Sequence, residues 1–166
     1  MKAQMQTPME PMTRHDSPAI VLFDGVCNLC NSTVQWIISH DRKRVLQFAS
    51  LQSQAAREVL QAAAAPNELP DSVILVKRSA AGAQVLSQSD AAIGIARVLG
   101  LPWSLLVVGL VLPRVLRDAM YSYIARNRYR WFGKRDACMM PTPELRARFL
   151  DAQEPKPAAA ANAAHP

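Results

Sequence analysis

The side chains best suited to making and breaking a covalent bond are two cysteines three positions apart, in the run Phe23-Asp24-Gly25-Val26-Cys27-Asn28-Leu29-Cys30. The apolar stretch Ala19–Phe23 before them consists mostly of β-formers and ends at Asp24-Gly25, which predicts a buried strand closing in a turn. From Cys27 to His40 the apolar positions Cys30, Val34, Ile37 and Ile38 recur at helical spacing. The dithiol is therefore expected where a strand ends and a helix begins. Positions i and i+3 of a first helical turn share a face, near enough for a disulfide. The first of them sits at the helix N-terminus, where unpaired N–H groups and the macrodipole favour a thiolate. Cys27 is thus the expected attacking thiol in thiol–disulfide exchange and Cys30 the resolving one.

The neighbours of the pair have their own chemistry. Asp24 could take the proton of a cysteine or orient a water that does so. It could equally be an Asx-turn residue tying strand to helix, and a carboxylate beside a thiolate opposes the charge. Gly25 allows a tight turn or close approach of a substrate backbone, and Asn28 lies between the two cysteines; both are expected to meet substrate. A structural zinc site would need four ligands, whereas Cys138 is alone and His15, His40 and His165 form no pair. Neither a metal nor an organic cofactor is required. Cys138, beside Met139 and Met140, is expected to be a small buried hydrophobe rather than a third redox thiol.

The elements that must position these residues follow from the rest of the chain. Its 166 residues, half of them hydrophobic, suit one domain with an adequate core. An odd count of three cysteines argues against a disulfide framework, and the first residues contain no apolar signal-peptide core, so a reducing cytoplasm is the expected compartment. Residues 1–17 and 151–166 read as tails, the latter rich in Ala and Pro, leaving a body over 18–150. In that body Val45, Leu46 and Phe48 suggest a second strand. Ser53 to Ala65 reads as a helix stopped by Pro66. Val73–Lys77 and Gln84–Leu86 flank Ser79-Ala80-Ala81-Gly82 as a hairpin, and Ser89 or Asp90 is the expected cap of a helix ending at Gly100. The order β-α-β-α-β-β-α, followed by helices from about residue 101, is an α/β sandwich with a mixed sheet.

The stretch VLFDGVCNLCNSTVQWII resembles the opening of the DCC family of thiol-disulfide oxidoreductases, whose Asp and two Cys are here Asp24, Cys27 and Cys30. The resemblance continues through Phe48–Ser53 (FASLQS), Asp71–Val76 (DSVILV), Ser89–Ile93 (SDAAI), Ile124–Cys138 (IARNRYRWFGKRDAC) and Pro141–Leu150 (PTPELRARFL), and so spans the body. It implies a thioredoxin-like α/β fold, a mixed sheet with flanking helices and the dithiol at a helix N-terminus, plus a C-terminal helical extension. Thioredoxin-like proteins carry a cis-proline before the strand facing the dithiol. Here that strand is preceded by Asp71-Ser72, so either the loop is rearranged or Ser72 takes the place and meets substrate. Asn28-Leu29 also replaces the Gly-Pro found between the cysteines of thioredoxin.

The net charge of +6, from 19 Lys and Arg against 13 Asp and Glu, is concentrated late in the chain. Between Arg114 and Arg135 lie seven basic residues and one Asp, interleaved with Tyr121, Tyr123, Tyr129, Trp131 and Phe132. The reading preferred here is an amphipathic helix with a solvated basic face and aromatics in the core; no nucleic-acid motif accompanies the charge. Just before it, Val98–Pro113 runs sixteen residues without a charge, short of the ~20 a spanning helix needs, which suggests a buried or interfacial helix. The expectation is a protein-disulfide reductase type of oxidoreductase, acting on a protein or small-molecule disulfide and re-reduced by a dithiol or by glutathione. The competing expectation is a non-catalytic thioredoxin-like module docking through its basic-aromatic region on a membrane surface or acidic partner.

Overall fold

The computed structural model describes residues 19–66, 69–70, 72–79, 82–134 and 142–154. The N-terminal tail, Asp71, Ala80, Ala81 and Cys138 lie outside them. Four strands, β1 (Ala19–Phe23), β2 (Leu46–Ser50), β3 (Ile74–Ser79) and β4 (Gly82–Ser87), form one sheet in the order β2-β1-β3-β4. β1 pairs parallel with β2 and antiparallel with β3, while β3 and β4 make a hairpin from Ile74↔Ser87 to Ser79↔Gly82. The parallel step needs a crossover, supplied by α1 (Asn28–His40). Three further helices follow: α2 (Gln54–Ala62), α3 (Gln88–Leu99) and α4 (Arg114–Phe132). This is the mixed α/β sheet with flanking helices expected of a thioredoxin-like chain.

β1 is central and buried on both faces, which explains its unbroken apolar run. Its alternation divides the core. Val21 and Phe23 face one way, joining Val34 and Ile37 of α1, Phe48 and Ile95 of α3. Ile20 and Leu22 face the other, against Ala56 and Val59 of α2 with Ile74 and Val76. The dithiol side is the first of these layers.

The C-terminal segment closes the β2 edge. Phe149 bridges Phe48, and the Leu150 N–H donates to the Phe48 carbonyl at 2.9 Å. The contacts continue past Leu150, where the sequence suggested a tail. The Asp151 carboxylate accepts from the Ser50 N–H at 2.7 Å, and Glu154 accepts from the N–H groups of Gln54 and Ala55 at 2.9 and 2.6 Å. A carboxylate at the start of α2 meets the positive end of that helix, so these four residues have a reason to be held.

Three expectations are corrected. Ser89 and Asp90 do not cap α3: the helix starts earlier, with Ser87 at the cap position, and the two side chains pair instead with Asp118 and with Arg114 and Arg117. Between α3 and α4 the uncharged stretch is a 3₁₀ helix over Trp103–Val111, and because Leu101, Leu105, Val108 and Val111 are well exposed, only the buried half of the buried-or-interfacial expectation is set aside. In α4 the aromatics do not form a core face: Tyr123, Trp131 and Phe132 are about half exposed, while Arg128 is 4% exposed. The reason for that inversion lies in what α4 packs against.

Candidate active site

α1 begins at the dithiol. Cys27 occupies the cap position with extended backbone, and its Sγ accepts from the Cys30 N–H at 3.4 Å. A sulfur thus does what a Ser or Asp oxygen does at most helix starts. Both cysteines are free thiols. Burial and the adjacent Cys27 side chain push the Cys30 thiol up, opposed by the Arg128 guanidinium. The Cys30 thiol is thus held in its protonated form.

Their exposures differ in the opposite sense to their expected roles. Cys27 is 0% exposed, whereas Cys30 is half-buried and lines a cavity of about 320 Å³. Cys27 is covered by the chain's own Phe132–Lys134 segment, the end of α4 and two residues beyond. Lys134 forms an antiparallel bridge to Cys27, and the Asn28 Nδ2 donates to the Phe132 carbonyl at 2.9 Å. Gly133 turns the chain here with φ +78°, and a Cβ there would meet Asn28 Nδ2 at 3.2 Å, so the approach is built for glycine.

Asp24, 3% exposed, stands at the end of β1 with four donors on its carboxylate. Oδ1 accepts from the Val26 N–H and Gln52 Nε2, both at 3.1 Å; Oδ2 accepts from Arg128 at 2.9 Å and from the Tyr129 hydroxyl. The first bond is the Asx turn anticipated from sequence. The ion pair with Arg128, across 104 residues, was not anticipated. It answers the objection that a carboxylate opposes a neighbouring thiolate, because the guanidinium balances it. It also explains why α4 turns a cation inward. With its acceptor sites filled, Asp24 is arranged to hold the turn and the charge balance.

Gly25 is buried and its backbone is committed internally: its N–H donates to Gln52 Oε1 at 3.3 Å and its carbonyl accepts from Asn31 Nδ2 at 2.9 Å. Asn28 holds the Phe132–Lys134 segment. Ser72 lines the same cavity as Cys30 and Asp24, its Oγ accepting from the Gln88 N–H at 3.3 Å. Asp24, Gly25, Cys27, Asn28 and Cys30 are thus gathered at one turn, with Ser72 across the cavity. Sequence reasoning missed Arg128, Tyr129, Gln52 and Tyr121, whose hydroxyl accepts from the Val73 N–H at 3.1 Å. The sequence carried them without a pattern that assigns a role: Gln52 in FASLQS, Arg128 and Tyr129 in RNRYR, which has no helical period of apolar residues, and Tyr121 among the interleaved aromatics.

A CxxC at the start of the helix that follows the first strand of a mixed sheet defines the thioredoxin-like thiol-disulfide oxidoreductases. Within that class the chain belongs to the DCC1-like thiol-disulfide oxidoreductase family, whose model matches residues 21–134. It is 43% identical over 140 residues to the uncharacterized protein YuxK of Bacillus subtilis, covering 84% of this chain and 99% of that one. It is 38% identical over 125 residues to the chloroplastic DCC family protein At1g52590 of Arabidopsis thaliana, covering 74% of this chain and 70% of that one. No solved structure matches it.

Proposed function

We propose that this chain reduces disulfides by cycling Cys27 and Cys30 between dithiol and disulfide. The supporting observation is the Cys27 sulfur at the α1 cap, receiving a hydrogen bond from the Cys30 N–H at 3.4 Å. Two electrons leave the pair for each external disulfide cleaved, and the pair is restored by a thiol reductant such as glutathione or a second dithiol. A reducing compartment such as the cytoplasm keeps that reductant in supply.

Oxidant treatment followed by alkylation and intact-mass measurement tests the cycle, in a Cys138→Ser background so that one pair alone is counted. The expected result is loss of two alkylation sites on oxidation and their return with thiol. Cys27→Ser and Cys30→Ser should each abolish the internal disulfide. A wild-type pair that stays fully alkylatable after oxidant would sink the reading.

A specific observation also favours contact with an anionic membrane surface. Val111, Val115, Leu116 and Met120 are exposed together near the start of α4, with exposed Arg114 beside them and Arg126 and Arg130 further along. Apolar side chains bordered by arginines suit insertion at a charged lipid interface. Among the described residues no helix is long and apolar enough to cross a membrane. Co-sedimentation with vesicles containing phosphatidylserine should be lost in Val115→Asp/Leu116→Asp; equal pelleting of that variant removes the reading.

A further inference from the structure

The cavity beside the dithiol is not explained by disulfide exchange in general. Its volume, about 320 Å³, lies at the lower end of the ~300–1,000 Å³ typical of small-molecule sites. Its walls are apolar and partly aromatic, with Leu29, Trp36, Ile95, Leu99 and Trp103 among them. Trp36 and Trp103 meet edge to face at 4.4 Å between centroids. Its few polar lining side chains include Ser72, Thr33 and Tyr121, and its two charged ones, Asp24 and Arg128, neutralise each other. Such a site favours a neutral, compact, apolar occupant.

The positions of the two sulfurs say how that occupant would be met. Cys30 is in the cavity wall and Cys27 is not; Cys27 lies behind it, under Phe132–Lys134. The Cys27 backbone is paired by the chain's own Lys134, so the cavity wall at Cys30 is the open approach to the dithiol. We propose that the substrate is a small apolar, aromatic disulfide held in this cavity, and that Cys30, not Cys27, forms the mixed disulfide with it. The proposal rests on the exchange reading above and reverses the order of attack expected from sequence.

The chemistry balances on this geometry. The Cys27 thiolate takes the Cys30 proton as the Cys30 sulfur attacks the nearer substrate sulfur. A Cys30–substrate S–S bond forms, the substrate S–S bond breaks, and the departing thiolate takes the proton from Cys27. Cys27, again a thiolate, attacks the Cys30 sulfur from the side away from the cavity. The Cys27–Cys30 disulfide forms, the second substrate thiolate leaves and is protonated by solvent. The dithiol has lost two electrons and the substrate has become two thiols. The raised Cys30 thiol keeps its proton at rest, so its attack depends on Cys27 taking that proton as the S–S bond forms. In the return direction an incoming thiol attacks Cys30, and Cys27 leaves as the thiolate held at the helix start.

The experiment uses the full chain carrying Cys138→Ser, with 2,2′-dipyridyl disulfide as the neutral aromatic probe and hydroxyethyl disulfide as the polar one. At alkaline pH, where hydroxide takes the proton that Cys27 otherwise accepts, Cys27→Ser should accumulate a pyridylthio adduct on Cys30 by intact mass and peptide mapping, and Cys30→Ser should give none on Cys27. Thr33→Trp, which narrows the cavity at an exposed lining position, should lower the aromatic-to-polar rate ratio by roughly tenfold or more, the scale on which apolar pockets discriminate. An adduct that forms on Cys27 instead, or a rate ratio unmoved by Thr33→Trp, overturns the proposal while leaving the dithiol cycle intact. Failure of the wild-type pair to form its internal disulfide with either probe or with diamide removes the exchange reading, and this one with it.

Discussion

The two ends of α1 are each pinned by an aspartate paired with an arginine more than a hundred residues later. At the start, Asp24 pairs with Arg128; at the end, Asp41 pairs with Arg148. Both carboxylates also hold local backbone, Asp24 the Val26 N–H and Asp41 the N–H groups of Val45 and Leu46 at 3.3 and 3.0 Å. The difference lies in the surroundings. The Asp41–Arg148 pair supports a turn between core elements, and Arg148 also donates to the Leu46 carbonyl at 3.1 Å. The Asp24–Arg128 pair sits in the cavity wall beside a thiol. The same device serves the fold alone at one end, and both the fold and the electrostatics of the dithiol at the other.

The strongest test of that contrast is Arg128→Met. Both partners at this end are almost fully buried, with side chains 5% and 3% exposed. Removing one partner of a buried pair costs about 3–5 kcal/mol, because the remaining charge is left uncompensated. Urea unfolding should show a loss of that order, and Asp24→Asn in the same chain should restore part of it. The folded fraction should also form the Cys27–Cys30 disulfide more slowly, since an unbalanced carboxylate then faces the sulfurs. Full stability in Arg128→Met would mean that the pair does not bind α4 to the sheet.

Arg148→Met should do less. Asp41 keeps its two backbone donors and Arg148 reaches the surface, so a loss of about 1.5–3 kcal/mol is expected, the scale of a hydrogen bond to a charged group. Its disulfide formation rate, measured at a temperature where the variant is folded, should equal wild type. A slowed rate would erase the distinction between the two ends.

The same contrast accounts for what the sequence disclosed. β1 and α1 were legible because their burial follows simple periods: Val21 and Phe23 alternate with Ile20 and Leu22, and Val34 and Ile37 repeat along α1; the hairpin was legible from its β-forming runs and the turn residues between them. The dithiol was legible because Cys27 and Cys30 are local to one turn. α4 was not, because its inward position is a cation chosen to neutralise Asp24 rather than an apolar side chain chosen for a core. A charge count treats Arg128 like its solvated neighbours Arg126 and Arg130. Only the coordinates distinguish them. The covering of Cys27 was hidden for a similar reason: it depends on where Gly133 brings the chain, and no pattern in the residues around the CxxC encodes a contact more than a hundred positions away.

The smallest effect belongs to Tyr129, the member of the Asp24 cluster nearest solvent. Its hydroxyl donates to Asp24 and accepts from Arg128 at 3.1 Å. Partial burial, then the bond to Asp24, push it up from 10.0 to about 12. A phenol whose folded value lies above its unfolded one stabilises the folded state fully below pH 10, and that contribution is lost as pH rises towards 12. Tyr129→Phe should therefore cost about 1 kcal/mol at neutral pH, one hydrogen bond's worth. It should also flatten the decline in stability between pH 10 and 12, where the wild type gives up what the variant lacks. Ultraviolet titration of the folded chain provides the direct check: a tyrosinate appearing near pH 12 should be missing in Tyr129→Phe. If the variant loses an early phase instead, the hydroxyl is free of Asp24, and the carboxylate depends on Arg128 and Gln52 for its balance.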